Sequence, residues 1–216
     1  MTDLDHIVIA APDLDAAKQE FLDATGVLPS DGGPHIGAGT RNALIAFAGR
    51  HYIELIAPDP SQDLSGNRGS QFATLDKPTV IHWACRTTGL VQFGEALERR
   101  GIAHTPTRRM SRALPNDEGI LEWELMNVGD HDEGGLVPFF IDWLECTHPS
   151  ETSTTVGALT TFRVSAPAGS VAAKVLDPAP GNVEVVVGAP AITIEFESPN
   201  GTINYEVAAP AGFPRV

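Results

Sequence analysis

Leu4-Asp5-His6-Ile7-Val8-Ile9-Ala10-Ala11-Pro12-Asp13-Leu14 reads as a strand that runs straight into a helix. The apolar, β-branched run from Leu4 to Ala10 suits a buried pleated strand, and Pro12-Asp13 ends it. Asp13 stands where an N-cap accepts from the free N–H groups of a first helical turn. Behind it Leu14, Ala17 and Phe21 recur at helical spacing, and Gly26 sits where a helix C-terminus favours glycine. Two further strands, Arg41 to Phe47 and His51 to Ile56, are joined by a tight Ala48-Gly49-Arg50 turn. With room for one more short strand between Gly26 and Gly39, the unit is β-α-β-β-β.

A sheet of three or four strands leaves its apolar face uncovered, so a second copy is expected. A shift of 76 residues carries His6 onto His82, Leu14 onto Leu90 and Phe21 onto Leu97, and brings Gly26 within one residue of Gly101. The second unit then has strands at Thr79 to Arg86, Ile120 to Val128 and Leu136 to Leu144. Its helix runs from Gly89 to Arg100, and a loop carries Arg108, Arg109 and Arg112. A fainter third copy has strands at Leu159 to Ala166, Val183 to Val187, Ile192 to Glu197 and Thr202 to Val207, with a short helix near Ser170 to Leu176. Its Tyr205 to Pro210 echoes Ile53 to Pro58. The expected fold is α+β, with paired βαβββ modules forming a curved open sheet around a cleft. Residues 1–150 form that two-module domain (modules about 1–58 and 78–150, linked by 58–78), and residues 151–216 form a third, degenerate βαβββ-like module packed on it.

Composition narrows the function classes. The chain has 216 residues with 28 Asp+Glu against 14 Lys+Arg, a formal net charge of −14, and no basic run. Phosphate neutralisation along a nucleic acid therefore has no evident surface. No apolar stretch approaches the roughly 18 residues of a spanning helix, and Met1-Thr2-Asp3-Leu4-Asp5 is acidic where a signal peptide is basic. Cys85 and Cys146 suggest neither a disulfide framework nor a zinc pair. A reduced, cytoplasmic protein acting on a small molecule is the expectation.

Strand alternation selects the polar residues that share a face. His6 shares one with Val8 and Ala10, and Glu54 shares one with Tyr52 and Ile56. In the second unit His82 shares a face with Val80, Ala84 and Arg86, and Asp142 with Phe140 and Leu144. A histidine and a carboxylate thus recur at matching positions, His6 with Glu54 and His82 with Asp142. Buried carboxylates without partners raise their pKa or destabilise the fold, and a divalent ion (Zn, Ni, Mn, Fe or Co) held by these four side chains would solve that problem. Ordinary ion pairs, Glu54 with Arg41 or Arg50 and Asp142 with Arg86, are the alternative.

Residues 4–14 and Tyr52-Ile53-Glu54-Leu55-Ile56 resemble the first and fourth strands of a module in the vicinal oxygen chelate superfamily, the glyoxalase, extradiol dioxygenase and bleomycin-resistance group. Thr40 to Leu44, the Arg112 to Trp123 segment, and Pro138 to Trp143 followed by His148-Pro149-Ser150 resemble its glyoxalase-like domain proteins. The resemblance covers residues 3–150 well and the rest loosely. It implies a cleft holding a divalent ion on His6, Glu54, His82 and Asp142, and a substrate whose adjacent oxygens bind that ion. Asp142 departs from the glutamate usual there, and the third module carries Glu206 but Thr161 at the histidine position. That module is expected to cap a sheet edge or build an interface, a homodimer being one outcome.

The leading expectation is metal-assisted isomerase, lyase or hydrolase chemistry on a small oxygenated molecule, with Glu54 or Asp142 as general base. Arg41, Arg86 and Arg112 would recognise an anionic group, with Arg108 and Arg109 beside them, and Asn42, Tyr52, Trp123, Phe140 and Leu44 would shape the pocket. His35, His51 and His148 are spare candidates. The competing class is a metal-free protein that sequesters a hydrophobic or aromatic compound in the same cleft. Extradiol dioxygenation, which places two histidines and one carboxylate on iron, fits four aligned candidates less well.

Overall fold

The computed structural model describes residues 2–113, 119–208 and 210. Residues 114–118 of the Arg112 to Trp123 segment and Ala209 of the Tyr205 to Pro210 echo therefore lie outside the described residues. The first module holds β1 (Asp3–Ala10), α1 (Leu14–Thr25), β2 (Ser30–His35), β3 (Thr40–Phe47) and β4 (Tyr52–Pro58). Asp13 caps α1 by accepting from the Ala16 N–H at 2.8 Å, and Gly26 closes it with φ +78°, a left-handed conformation that glycine adopts without a Cβ penalty. The linker holds a short helix α2 (Arg68–Phe72). The second module holds β5 (Thr79–Arg86), α3 (Leu90–Arg99), β6 (Arg108–Ala113), β7 (Ile120–Asn127) and β8 (Phe139–Asp142).

The strand order β2-β3-β4-β1-β5-β8-β7-β6 shows the pairing of two equivalent modules. Each carries its first strand parallel to its last, β1 with β4 and β5 with β8, and the modules join through the antiparallel pair β1 and β5. The sheet curves until its two ends, β2 and β6, face each other across the concave side. Its convex side is the main core, where Ile7, Ile9, Ile45, Ile53, Trp83 and Phe140 pack under α1 and α3. The arginine segment expected as a loop is strand β6. Its alternation was hidden in the sequence because arginines stand on both faces, Arg108 and Arg112 on one and Arg109 on the other.

The last unit contains β9 (Thr155–Gly157), which pairs with β3, then β10 (Leu159–Ala166), α4 (Val171–Val175), β11 (Glu184–Val187), β12 (Ala191–Ser198) and β13 (Gly201–Ala208). It repeats the β-α-β-β-β element order but not the strand order, which is β11-β10-β12-β13 rather than the first-strand-at-the-edge order of the two modules. It closes the convex side: Phe196 lies 6.2 Å from Phe21 and 5.3 Å from Phe47, and Phe162 lies 5.0 Å from Trp83. Among the described residues no helix is long and apolar enough to cross a membrane.

Candidate functional site

The concave side encloses a cavity of about 420 Å³. One wall is apolar, built from Met110, Leu121, Trp123, Phe139, Ile141 and Trp143. The other carries His6, His35, Asn42, Tyr52, Glu54 and His82, with Arg68, Arg108 and Arg112 also facing the space. On β6 and β7 alternation sorts these groups: Arg108 pairs with Leu125, Met110 with Trp123 and Arg112 with Leu121 on the inner face, while Arg109 and Ser111 pair outward with Glu124 and Glu122. Helix α2 brings Arg68 and Phe72 to the cavity because Gly69 sits against the backbone of Gly39, where any Cβ would clash with the Gly39 carbonyl.

Glu54 is the focus of the polar wall. Its Oε1 accepts from Asn42 Nδ2 at 2.6 Å, and Asn42 is itself held through Oδ1 by the Gly33 N–H at 3.0 Å. Two imidazoles flank the carboxylate, His6 Nε2 at 3.9 Å and His35 Nε2 at 3.8 Å. Burial pulls the pKa of His35 down, with Glu54 opposing and Arg112 reinforcing that shift, so His35 is held neutral. Burial, with the charges of Asp5 and Glu54, pushes the Tyr52 hydroxyl well above its usual value, and the Tyr52 ring stacks on His6 at 4.7 Å.

Behind His6 stands Asp5, which no alternation argument places on the same side. A bulge does so: Leu4 pairs with Cys85 and His6 with Ala84, leaving Asp5 as the extra residue. Bulges re-aim side chains in this way. Asp5 is fully buried and accepts from His6 Nδ1 at 2.6 Å, His148 Nε2 at 3.0 Å and Trp143 Nε1 at 3.1 Å. Burial alone would raise its pKa, but the bonds and charges of His148 and His6 outweigh that and hold it well below the usual carboxylate range. An ionised Asp5 keeps a proton on His6 Nδ1, so Nε2 is the nitrogen that faces Glu54. The neighbouring Ser150 N–H donates to His148 Nδ1 at 3.3 Å, so the Nε2 proton of His148 is the one directed at Asp5.

Of the expected ligands, His6, Glu54 and His82 line the cavity and Asp142 does not. On β1 and β4, Val8, two residues past His6, pairs with Glu54. On β5 and β8, Ala84, two residues past His82, pairs with Phe139. Phe139 thus stands at the carboxylate position, its ring 5.4 Å from His6 and 5.2 Å from His82. Asp142 is three residues further on the convex side, where it accepts from the Gly89 N–H at 2.8 Å and the Leu144 N–H at 2.9 Å. Phe140, on that same side, packs at 4.5 Å against Phe93. Among the described residues no three His, Cys, Asp or Glu side chains are arranged to hold a metal ion. The four-ligand set expected for a divalent ion is therefore not assembled by these strands.

Asn42, Tyr52, Arg112 and Trp123 face the cavity as expected. Arg41 points to the outside and pairs with Asp15 at 3.0 Å. Arg86 donates to the carbonyls of Leu4 and Arg50 and lies 3.4 Å from Asp3, a brace for the start of β1. His51 is buried near Phe47 on the convex side, and His148 belongs to the Asp5 network. Arg68 escapes a sequence reading because it sits in what looks like a linker.

The family model for the glyoxalase-like domain matches residues 4–179. No curated protein matches the chain. A hypothetical protein from Staphylococcus aureus has a similar solved structure, with 18% identity, 96% of this chain and 86% of that chain covered, and a TM-score of 0.63. Methylmalonyl-CoA epimerase from Mycobacterium tuberculosis is 22% identical over 72% of this chain and 87% of its own, with a TM-score of 0.46. The Streptomyces coelicolor epimerase in complex with 2-nitronate-propionyl-CoA is 18% identical over 65% and 96%, with a TM-score of 0.47. Paired βαβββ modules around one cleft and a family match over most of its length make this chain a member of the glyoxalase-like domain family, within the vicinal oxygen chelate superfamily.

Proposed function

We propose that the protein binds a small oxygenated molecule in the cleft and moves a proton on it, in isomerase or lyase chemistry, with Glu54 as general base and His6 as its partner. The observation that carries this reading is the line Glu54, His6, Asp5, in which a buried ionised carboxylate orients an imidazole whose other nitrogen, Nε2, lies 3.9 Å from a second carboxylate. Asn42 anchors one oxygen of Glu54, leaving the other turned toward His6. A carbon acid seated against the apolar wall would yield its proton to Glu54, and His6 protonated at Nε2 would return one from that nitrogen or donate it as a hydrogen bond to the charged oxygen. No step is assigned to a divalent ion, because Phe139 replaces the fourth ligand.

The test is deuterium incorporation from D2O into a panel of small α-keto and β-dicarbonyl acids, followed by NMR. Wild type should exchange at least one panel member, and Glu54→Gln should slow that exchange about a hundredfold or more. Metal content is measured on the same tag-free preparations. A stoichiometric ion in the wild type that is lost in His6→Ala and Glu54→Ala would replace this reading with the metal-assisted one. The aromatic wall of Trp123, Phe139 and Trp143 favours one second reading, sequestration of an aromatic compound. Stabilisation by such a compound with no exchange of any panel member would select it.

A further inference from the structure

Among the described residues the cavity has a charge opposite to that of the molecule. The chain carries 14 Lys+Arg against 28 Asp+Glu, yet the described residues that line the cavity include three of those arginines and a single carboxylate, Glu54. Elsewhere, among the described residues, five arginines pair with a carboxylate, Arg41 with Asp15, Arg50 with Glu151, Arg86 with Asp3, Arg109 with Glu122 and Arg163 with Glu184, while Arg100 donates to the carbonyls of Lys174 and Asp177. Among the described residues none of Arg68, Arg108 and Arg112 has such a partner. They form a gradient, with Arg108 exposed at the rim, Arg68 half-buried, and Arg112 only 7% exposed. The Nη1 of Arg112 is buried with no hydrogen-bond partner among the described residues. A buried guanidinium N–H left unpaired is costly, and a planar fork of donors matches the oxygens of a carboxylate or phosphate.

We propose that the cleft is built for an organic anion, whose carboxylate or phosphate group is bound by Arg112 while its apolar body lies along Met110, Trp123 and Phe139. Arg108 and Arg68 draw the anion in against the repulsion of a net negative protein, since a cleft lined by one sign of charge focuses the local field. The inference deepens the proton-transfer reading by naming the class of its substrate, but it concerns binding alone. An anion held at Arg112 would present the rest of the molecule to Glu54 and His6 on the opposite wall.

Calorimetric titration of the full chain tests it, with benzoate, phenyl phosphate and the neutral benzyl alcohol as probes. Benzoate or phenyl phosphate should bind with a Kd of about 1 mM or better, and benzyl alcohol at least about tenfold more weakly. The stronger of the two anions identifies the group. Arg112→Gln should weaken anion binding about tenfold or more, Arg108→Gln should weaken it less, and raised salt should reduce the Arg108 effect first. Arg109→Gln, on the outer face of the same strand, should leave it unchanged. Because Arg112 is buried, Arg112→Lys keeps the test informative if the glutamine variant fails to fold: a lysine should retain charge yet lose the paired contact. Equal binding of benzyl alcohol, no binding of either anion, or unchanged affinity in the Arg112 variants would overturn the proposal. Titration heat is read without turnover, so a failure here is distinct from a failure of Glu54→Gln to stop proton exchange.

Discussion

Asp5 is buried completely and is charged, an arrangement that stands only because three N–H donors converge on it. Replacing it by Asn leaves His6, His148 and Trp143 competing for one neutral acceptor, which should cost on the order of 3 kcal/mol. The pH dependence follows from its lowered pKa. A carboxyl whose folded value lies below its unfolded value stabilises fully above about pH 4 and loses that contribution as pH falls toward the folded value. Thermal unfolding should therefore show a large gap between wild type and Asp5→Asn at pH 7, narrowing steadily below pH 4. A gap that stays constant with pH would mean Asp5 acts by shape and not by charge. His6 and Glu54 were legible in the sequence as a histidine and a carboxylate at strand positions that share a face. Asp5 was not, because a one-residue bulge reverses the alternation on which that reading depends.

The last strand of each module decides what the cleft contains. Sequence periodicity places Phe140 and Asp142 on one face correctly, but it does not say which face looks inward. That is fixed by the pairing of β5 with β8, which sets Phe139 beside Ala84 and Ile141 beside Arg86 and turns Asp142 to the helix side. There Asp142 holds two backbone N–H groups, those of Gly89 before α3 and of Leu144, whose φ of +54° is unfavourable for a leucine. Asp142→Ala should consequently lower stability by about 1–3 kcal/mol while leaving probe binding at Arg112 and exchange at Glu54 intact. Weakened binding or altered metal content with an unchanged melting temperature would return Asp142 to the cleft. The two helices and the strands β1 and β5 were readable because a buried face repeats Leu14, Phe21 against Leu90, Leu97. The β6 strand and α2 were not, since charged side chains and a polar linker carry little periodic signal even where they line a site.

At the scale of the whole molecule, the last unit shares one core with the paired modules instead of forming its own. Phe162, Val164, Ile192, Ile194 and Phe196 belong to the same buried cluster as Ile7, Phe21, Phe47 and Trp83. Its polar ties are as close: the Leu4 N–H donates to the Gly181 carbonyl at 2.9 Å, and Glu133 accepts from the Val171 and Ala172 N–H groups at the start of α4. Each of those five side chains stabilises by about 1.5–3 kcal/mol when buried. Together they match the roughly 5–15 kcal/mol by which a domain is stable at all. A chain ended after residue 154 keeps every cavity-lining residue but exposes Trp83, Phe21 and Phe47 to water. It should therefore lose cooperative unfolding, bind a hydrophobic dye and aggregate, whereas the full chain should melt in one transition. A truncated monomer that melts sharply near the temperature of the full chain would show that the modules stand alone and that the last unit is an addition to a finished fold.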